Sequence, residues 1–225
     1  MTAQAPLAAR VDAIRERIAR ACERCGRSPA DVRLVAVTKT HPVTSIVEAY
    51  GAGIRDFGEN RVQEAAAKIP VLRVRCAGAT WHLIGNLQTN KVRAALRLFD
   101  ILHSVDSIRL AEAIDARADR RVPVLIEVNV AGEASKHGVS PDVAGPLAEA
   151  VGKLANLEPI GLMTVAPVAD DPEDVRPVFR RLRELRDALG LRELSMGMTD
   201  DFEVAIEEGA TIVRIGRAIF GARER

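Results

Sequence analysis

The stretch Arg33-Leu-Val-Ala-Val37, followed by Val43, Ile46, Val47 and Tyr50 at helical spacing, is the first copy of a pattern that recurs to the end of the chain. A short apolar run predicts a buried strand, and apolar residues three and four positions apart predict an amphipathic helix. Strands that are each followed by a helix are typical of a parallel sheet.

Eight copies of this unit predict a closed (β/α)₈ barrel rather than an open sheet. The predicted strands are Arg33–Val37, Ile54–Phe57, Thr80–Ile84, Ile101–Ser104, Val124–Asn129, Pro159–Met163, Glu193–Met196 and Thr211–Ile215. An open doubly wound sheet is the alternative, but no Gly-x-Gly-x-x-Gly follows the first strand. Helical spacing from Leu7 to Cys22 predicts an extra N-terminal helix. No linker-like segment divides the chain, so we expect a single domain over residues 1–225.

Charge and composition exclude several classes of partner. The 32 basic and 31 acidic residues nearly cancel, so we expect no binding of nucleic acid. No apolar run approaches the roughly 20 residues of a membrane span. Cys22 and Cys25 lack histidines at metal-ligand spacing, so we interpret them as ordinary helix residues of a cytoplasmic protein without a metal site.

Polar residues and glycines follow most of the predicted strands, where barrel enzymes place their chemistry. They are Lys39, Gly58-Glu-Asn60, Gly85-Asn86, Asp106, Asn129, Met163-Thr164, Ser195-Met-Gly197 and Gly216-Arg217. Asp106 is predicted to cap a helix, and Asp200, three residues before Glu203, is predicted to start one. Asp200 and Asp201 would be unfavourable beside an anion unless they point away from it.

The last two strand ends predict a phosphate site, as in many barrels. Ser195 and Thr199 offer hydroxyls, and Gly197 would let the backbone approach a ligand. Gly216 precedes the short segment Arg217–Phe220, whose first amides would bind an anion. The alternative is that both glycines only serve turns.

Lys39 follows an apolar strand directly, where an ammonium is costly to desolvate unless it is used or paired. A lysine that faces a phosphate site suits an aldehyde-bearing phosphate held as a Schiff base. The alternative is that Lys39 extends into solvent. Arg214, inside the last strand, needs an acceptor, and His82 is either a barrel histidine or a ligand contact.

Several motifs in order resemble one known family. They are Val35-Ala-Val-Thr-Lys39, Phe57-Gly-Glu-Asn60-Arg-Val-Gln-Glu64, Trp81-His-Leu-Ile-Gly-Asn-Leu-Gln88, Ser135-Lys-His-Gly138, Gly161-Leu-Met163, Leu194-Ser-Met-Gly-Met198, Val213-Arg-Ile-Gly216 and Ile219-Phe-Gly-Ala-Arg223. The chain resembles the pyridoxal phosphate homeostasis proteins, which have the alanine racemase N-terminal barrel, fold type III among proteins that use pyridoxal phosphate. The resemblance implies that pyridoxal 5′-phosphate (PLP) is held as a covalent aldimine on Lys39. It also implies that Arg214 faces the pyridine nitrogen and that Asn60 lies beside the ring.

The predicted cofactor-binding residues are therefore Lys39, Asn60, His82, Met163, Ser195, Gly197, Met198, Thr199, Arg214, Gly216 and Arg217. An arginine at the ring nitrogen makes the cofactor a weak electron sink. Related racemases draw a tyrosine base from a second domain, but the only tyrosine here, Tyr50, lies on a predicted outer helix. We therefore expect a monomeric carrier that stores, buffers or delivers PLP, with apo PLP-dependent enzymes as transient partners and no catalysis. An amino-acid racemase and a Schiff-base aldolase acting on a sugar phosphate are the alternatives.

Overall fold

A computed structural model describes residues 5–133 and 136–221, so Ser135, Ala222 and Arg223 of the resemblance motifs lie outside the described residues. Eight parallel strands close into a barrel in chain order, with the last strand paired to the first. They are β1 (Arg33–Val37), β2 (Asp56–Glu59), β3 (Thr80–Leu83), β4 (Ile101–Val105), β5 (Val122–Glu127), β6 (Leu157–Met163), β7 (Glu193–Ser195) and β8 (Ile212–Ile215). The predicted (β/α)₈ barrel is confirmed.

Helices surround the barrel, and one of them precedes β1. They are α1 (Leu7–Arg24), α2 (Val43–Gly51), α3 (Val62–Arg75), α4 (Val92–Leu98), α5 (Ile108–Asp115), α6 (Pro141–Gly152), α7 (Arg176–Ala188), α8 (Phe202–Glu207) and α9 (Arg217–Phe220). The extra N-terminal helix α1 packs against α8 and α9. Arg10 Nε donates to the carbonyl of Ile219 at 2.7 Å. The predicted N-terminal helix is therefore confirmed.

The strands bury two apolar layers because successive side chains point to opposite faces. One layer lies between the strands and the helices. The second is smaller and fills the barrel interior with Val35, Ile101, Leu125, Ile160, Met163 and Ile212. Buried polar side chains, among them His82, His103, Ser195 and Arg214, accompany these apolar residues.

Local boundaries differ from the predictions where a side chain rather than the apolar pattern decides them. β2 extends to Glu59 because Gly58 and Glu59 pair with β3. Ser107, not Asp106, caps α5, since its Oγ accepts the Leu110 amide at 3.3 Å. α8 begins after Asp201 rather than after Asp200. The predictions for Asp106 and Asp200 were therefore wrong.

Cys22 lies on α1 as predicted, whereas Cys25 directly follows the last residue of that helix. Cys22, Cys25 and Cys76 are free thiols, and Cys22 is buried on α1. Over the described ranges no cluster of histidine, cysteine and acidic side chains could hold a metal ion. None of the helices in the described part is long and apolar enough to cross a membrane.

Candidate functional site at the carboxyl end of the barrel

A cavity of about 330 Å³ opens at the carboxyl ends of β1, β2, β7 and β8. Its size is that of a small-molecule site. The predicted residues that line it are Lys39, Asn60, Met198, Thr199, Arg214, Gly216 and Arg217. Residues predicted from opposite ends of the chain therefore meet at one place, because parallel strands bring their carboxyl ends to the same edge.

Lys39 lies in a tight turn that directly follows β1. The amide of His41 donates to the carbonyl of Thr38 at 3.1 Å and closes this turn. Lys39 is the second residue of the turn and is half-buried. Thr38 continues the pairing of β1 with β2, since its amide donates to the Gly58 carbonyl at 2.9 Å. Lys39 is thus joined to the barrel wall through Thr38 and lies within a hydrogen-bonded turn.

Arg214 lies at the inner wall of the cavity and is almost fully buried, with 4% of its surface exposed. Its Nη1 donates to Ser195 Oγ at 2.7 Å, and its Nη2 donates to the Thr164 carbonyl at 2.8 Å. Burial lowers the pKa of Arg214 to about 10, against the opposing effect of Asp201 and Glu127. The guanidinium therefore stays charged at neutral pH and has the acceptors that the sequence required.

A chain of buried hydrogen bonds continues from Ser195 through the barrel. Ser195 Oγ lies 3.0 Å from His103 Nδ1, and His103 Nε2 lies 2.9 Å from His82 Nδ1. His82 Nε2 lies 3.0 Å from a carboxylate oxygen of Asp56. We call the residues Arg214, Ser195, His103, His82 and Asp56 the interior chain.

The two ends of the interior chain fix the direction of its outer bonds. Arginine can only donate, so Ser195 Oγ accepts from Arg214. A carboxylate can only accept, so His82 donates from Nε2 to Asp56. Burial, with His82 and Arg214 nearby, holds the pKa of His103 well below its usual range. A neutral His103, together with His82, therefore links a buried cation to a carboxylate on the far side.

The loops after β7 and β8 form the opposite side of the cavity. Asp201 turns its carboxylate toward the loop backbone, where Oδ1 accepts the Met198 amide at 2.5 Å. Asp200 pairs with Arg217 at 2.5 Å, and both side chains are exposed. The first turn of α9 leaves amides without intrahelical acceptors. The carboxylate of Asp201 thus points away from the place predicted for an anion, whereas Asp200 lines the cavity beside that place.

Asn60 directly follows β2 at the cavity wall, and its buried Oδ1 has no hydrogen-bond partner among the described residues. Buried polar atoms are nearly always paired in proteins, so an orphaned one at a cavity indicates a ligand donor. A Cβ at Gly85 would lie 2.3 Å from the Asn60 carbonyl oxygen. Glycine is therefore needed after β3 to let Asn60 take this position.

Other predicted residues lie beneath the cavity instead of in its wall. Both ring nitrogens of His82 and the hydroxyl of Ser195 are used in the interior chain. Met163 belongs to the apolar interior layer. Gly197 has φ +90°, and a Cβ there would lie 2.6 Å from Ala205 on α8. Its glycine is therefore required by the turn and by packing against α8.

Two buried groups near the cavity were not predicted from the sequence. His103 lies two residues after the inward-facing Ile101 of β4, and this period of two is the signal that could have found it. Glu127 ends β5, is 7% exposed, and its Oε2 has no partner within the described ranges. Burial raises the pKa of Glu127 to about 7, against the opposing effect of His137.

Comparisons with known proteins agree with this arrangement. A profile of the family described as "Alanine racemase, N-terminal domain" matches residues 10–224. The pyridoxal phosphate homeostasis protein of Aquifex aeolicus is 48% identical over 96% of this chain and 97% of its own length. A protein of Bifidobacterium adolescentis described as unknown superposes with a TM-score of 0.91 at 44% identity, over 96% of this chain and 94% of that one.

PipY of Synechococcus elongatus, solved with PLP bound, superposes with a TM-score of 0.84 at 37% identity. That alignment covers 96% of this chain and 100% of PipY. The curated relatives are named for a homeostatic role and not for a reaction. The chain therefore belongs to the pyridoxal phosphate homeostasis proteins, within the family of the alanine racemase N-terminal domain.

Proposed function

We propose that this chain binds pyridoxal 5′-phosphate in the cavity at the carboxyl end of the barrel and stores or delivers it. The observation that carries the proposal is the meeting of Lys39, Asn60, Arg214 and the loops after β7 and β8 around one cavity. The PLP bound to PipY and the names of the curated relatives support it. Catalysis is not part of the proposed role.

The residues present fit the chemical groups of the cofactor. The amine of Lys39 condenses with the aldehyde to form a Schiff base, and the carbonyl oxygen leaves as water. The Thr199 hydroxyl, the first amides of α9 and the Arg217 side chain lie where a phosphate would be bound. The orphaned Oδ1 of Asn60 is available to accept a hydrogen bond from the ring substituents.

Arg214 is the reason to favour a carrier over an enzyme. A guanidinium with a pKa of about 10 cannot take up the role of a carboxylate, which stabilises a protonated ring nitrogen. The ring therefore withdraws electrons weakly from a bound amino acid. The only tyrosine, Tyr50, donates its hydroxyl to the Ala77 carbonyl at 2.8 Å from α2, so it is already bound outside the cavity.

The first test is the absorption spectrum of the purified protein, followed by borohydride reduction and peptide mapping. We expect absorption well above the protein band and a pyridoxyl group on Lys39. A Lys39→Ala variant should lose that label, whereas Lys153→Ala, on the exposed end of α6, should keep it. A label found mainly on Lys136 or Lys153 of the unaltered protein would overturn the assignment.

The carrier role is tested by turnover and transfer. Racemisation of any common amino acid near the median enzyme rate of roughly 10 s⁻¹ would contradict it. So would a loaded protein that never yields its cofactor to an apo-enzyme. A Schiff-base aldolase would instead be colourless and would cleave a sugar phosphate without PLP.

A further inference from the structure

The turn that carries Lys39 is held in a strained conformation. Thr40 has φ 67°, and it is the only non-glycine residue with positive φ in the described part of the chain. Its position, third in the turn closed between Thr38 and His41, is one that type II turns normally give to glycine. A β-branched residue persists there only when its surroundings impose the conformation.

The surroundings of the turn are two side chains of α3, one helical turn apart. Glu64 Oε1 accepts the Thr40 amide at 2.5 Å. Lys68 Nζ donates to the Thr38 carbonyl at 3.0 Å and to the His41 carbonyl at 3.3 Å. The peptide groups on both sides of Lys39 are therefore bound by α3.

The two side chains are also bound to each other. Lys68 Nζ lies 2.6 Å from Glu64 Oε1 and 2.8 Å from Glu59 Oε1. Burial pushes the pKa of Glu64 upward, but the hydrogen bonds from Lys68 and Thr40 outweigh it, and the net pKa is lowered. Glu59 is fully buried and also accepts the Thr38 hydroxyl at 2.7 Å. The ion pairs among Glu59, Glu64 and Lys68 therefore fix the positions of the side chains that bind the turn.

We propose that Glu64 and Lys68 are positioning residues, which hold the strained turn so that the Lys39 amine points into the cavity. They act through the backbone of the turn, which they bind on both sides of Lys39. This inference rests on the proposed role of Lys39 as the residue that binds the aldehyde. Misplacement of a reacting group by about 1 Å can slow a reaction about a hundredfold, so the orientation of the turn matters for capture.

The main test compares Glu64→Ala with Glu149→Ala. Both variants remove a glutamate that pairs with a lysine four residues later, but the Glu149–Lys153 pair is exposed on α6. We expect Glu64→Ala to slow the capture of PLP by about tenfold or more. The rate of capture is measured from the rise in absorbance after PLP is added. Glu149→Ala should capture PLP at the unaltered rate. Equal rates for both variants would overturn the proposal.

A second substitution separates positioning from direct contact. Thr40→Gly removes the strain, because glycine adopts positive φ without steric cost. The double variant Glu64→Ala/Thr40→Gly should therefore recover most of the lost capture rate. A double variant as slow as Glu64→Ala would show that Glu64 acts in another way, and the proposal would fail. If Glu64→Ala does not fold, Glu64→Gln with the same rescue takes its place.

Amide exchange tests the structural premise without cofactor. The Thr40 amide should exchange slowly with solvent in the unaltered protein, and about tenfold faster in Glu64→Gln. Fast exchange of the Thr40 amide in the unaltered protein would contradict the proposal that Glu64 holds the turn. Failure of the unaltered protein to label Lys39 with PLP would instead contradict the proposed function, so the two failures are distinct.

Discussion

The two sides of the cavity are held in different ways. The Lys39 turn is held from outside the barrel by a compact ionic cluster, Lys68 with Glu59 and Glu64, within 2.8 Å. Arg214 is held from inside by the interior chain, in which Ser195, His103 and His82 separate it from the carboxylate of Asp56. One side is fixed by charges in contact and the other by a series of hydrogen bonds.

The difference follows from what each side has to present. Lys39 needs a defined backbone direction, and only the peptide groups that flank it can supply one. Arg214 is already rigid in β8, so it needs acceptors that use its buried donors without neutralising its charge. A carboxylate in direct contact would cancel that charge, whereas the Ser195 hydroxyl and the Thr164 carbonyl leave it to face the cavity.

The largest expected effect comes from breaking the ionic cluster with Lys68→Met. This variant leaves the fully buried Glu59 carboxylate without its cation. Removing one partner of a buried ion pair costs about 3–5 kcal/mol, so we expect a loss of that size in the free energy of unfolding by urea. Lys153→Met, on an exposed pair, should leave the urea midpoint unchanged. Equal midpoints would show that the cluster contributes no stability.

A slightly smaller effect is expected at Glu127, whose buried Oε2 has no hydrogen-bond partner among the described residues. Its pKa is about 7 in the folded protein and 4.5 ordinarily, so the folded state binds more protons between these values. Stability from this group is therefore present at low pH and is lost as pH rises from about 4.5 to about 7. Glu127→Gln should match the unaltered protein at pH 4 and exceed it by up to about 3 kcal/mol at pH 8.

Urea unfolding of both proteins across this pH range checks the prediction for Glu127. The difference between their free energies of unfolding must increase with pH, because glutamine does not titrate. A difference that is constant over the range would mean that the Glu127 carboxyl ionises normally in the folded state.

The third prediction breaks the interior chain at its centre. His103→Leu leaves the Ser195 hydroxyl and His82 Nδ1 without the hydrogen bonds that His103 makes with them. Unpaired buried polar groups cost about 1–3 kcal/mol, which is less than an unpaired charge. Ser104→Ala is a control on the same strand, since it removes one buried hydrogen bond, to the Gly85 carbonyl at 2.7 Å, that is not part of the chain.

A double-mutant cycle sharpens the third prediction. Because His82 and His103 act in one chain, replacing both with leucine should cost less than the sum of the single losses. Additive losses would show that the histidines contribute separately. His103→Leu should also release PLP faster than Ser104→Ala does, since only His103 acts on Arg214.

Periodicity was sufficient to predict the barrel, because apolar alternation between strand and helix depends on local sequence. The same reasoning placed Lys39, Arg214 and Gly216 at one end, since all parallel strands finish there. It could not predict that His82 lies beneath the cavity instead of in its wall, because His103, which binds the His82 ring, comes from another strand. Glu64 and Lys68 were missed since the turn that they bind lies 24 residues from Glu64.

The smallest effect is expected at the rim, where Asp200 pairs with Arg217 on the anion-facing side of the cavity. Both side chains are exposed, and such pairs contribute at most about 1 kcal/mol, so Asp200→Asn should leave the unfolding midpoint unchanged. It should bind PLP about threefold more tightly, because a phosphate no longer competes with Asp200 for Arg217 and meets less negative charge. Asp12→Asn, which makes the same charge change on α1, is the control. The gain should shrink as salt is added. Unchanged affinity at low salt would mean that Arg217 takes no part in anion binding and would leave that role to Thr199 and the amides of α9.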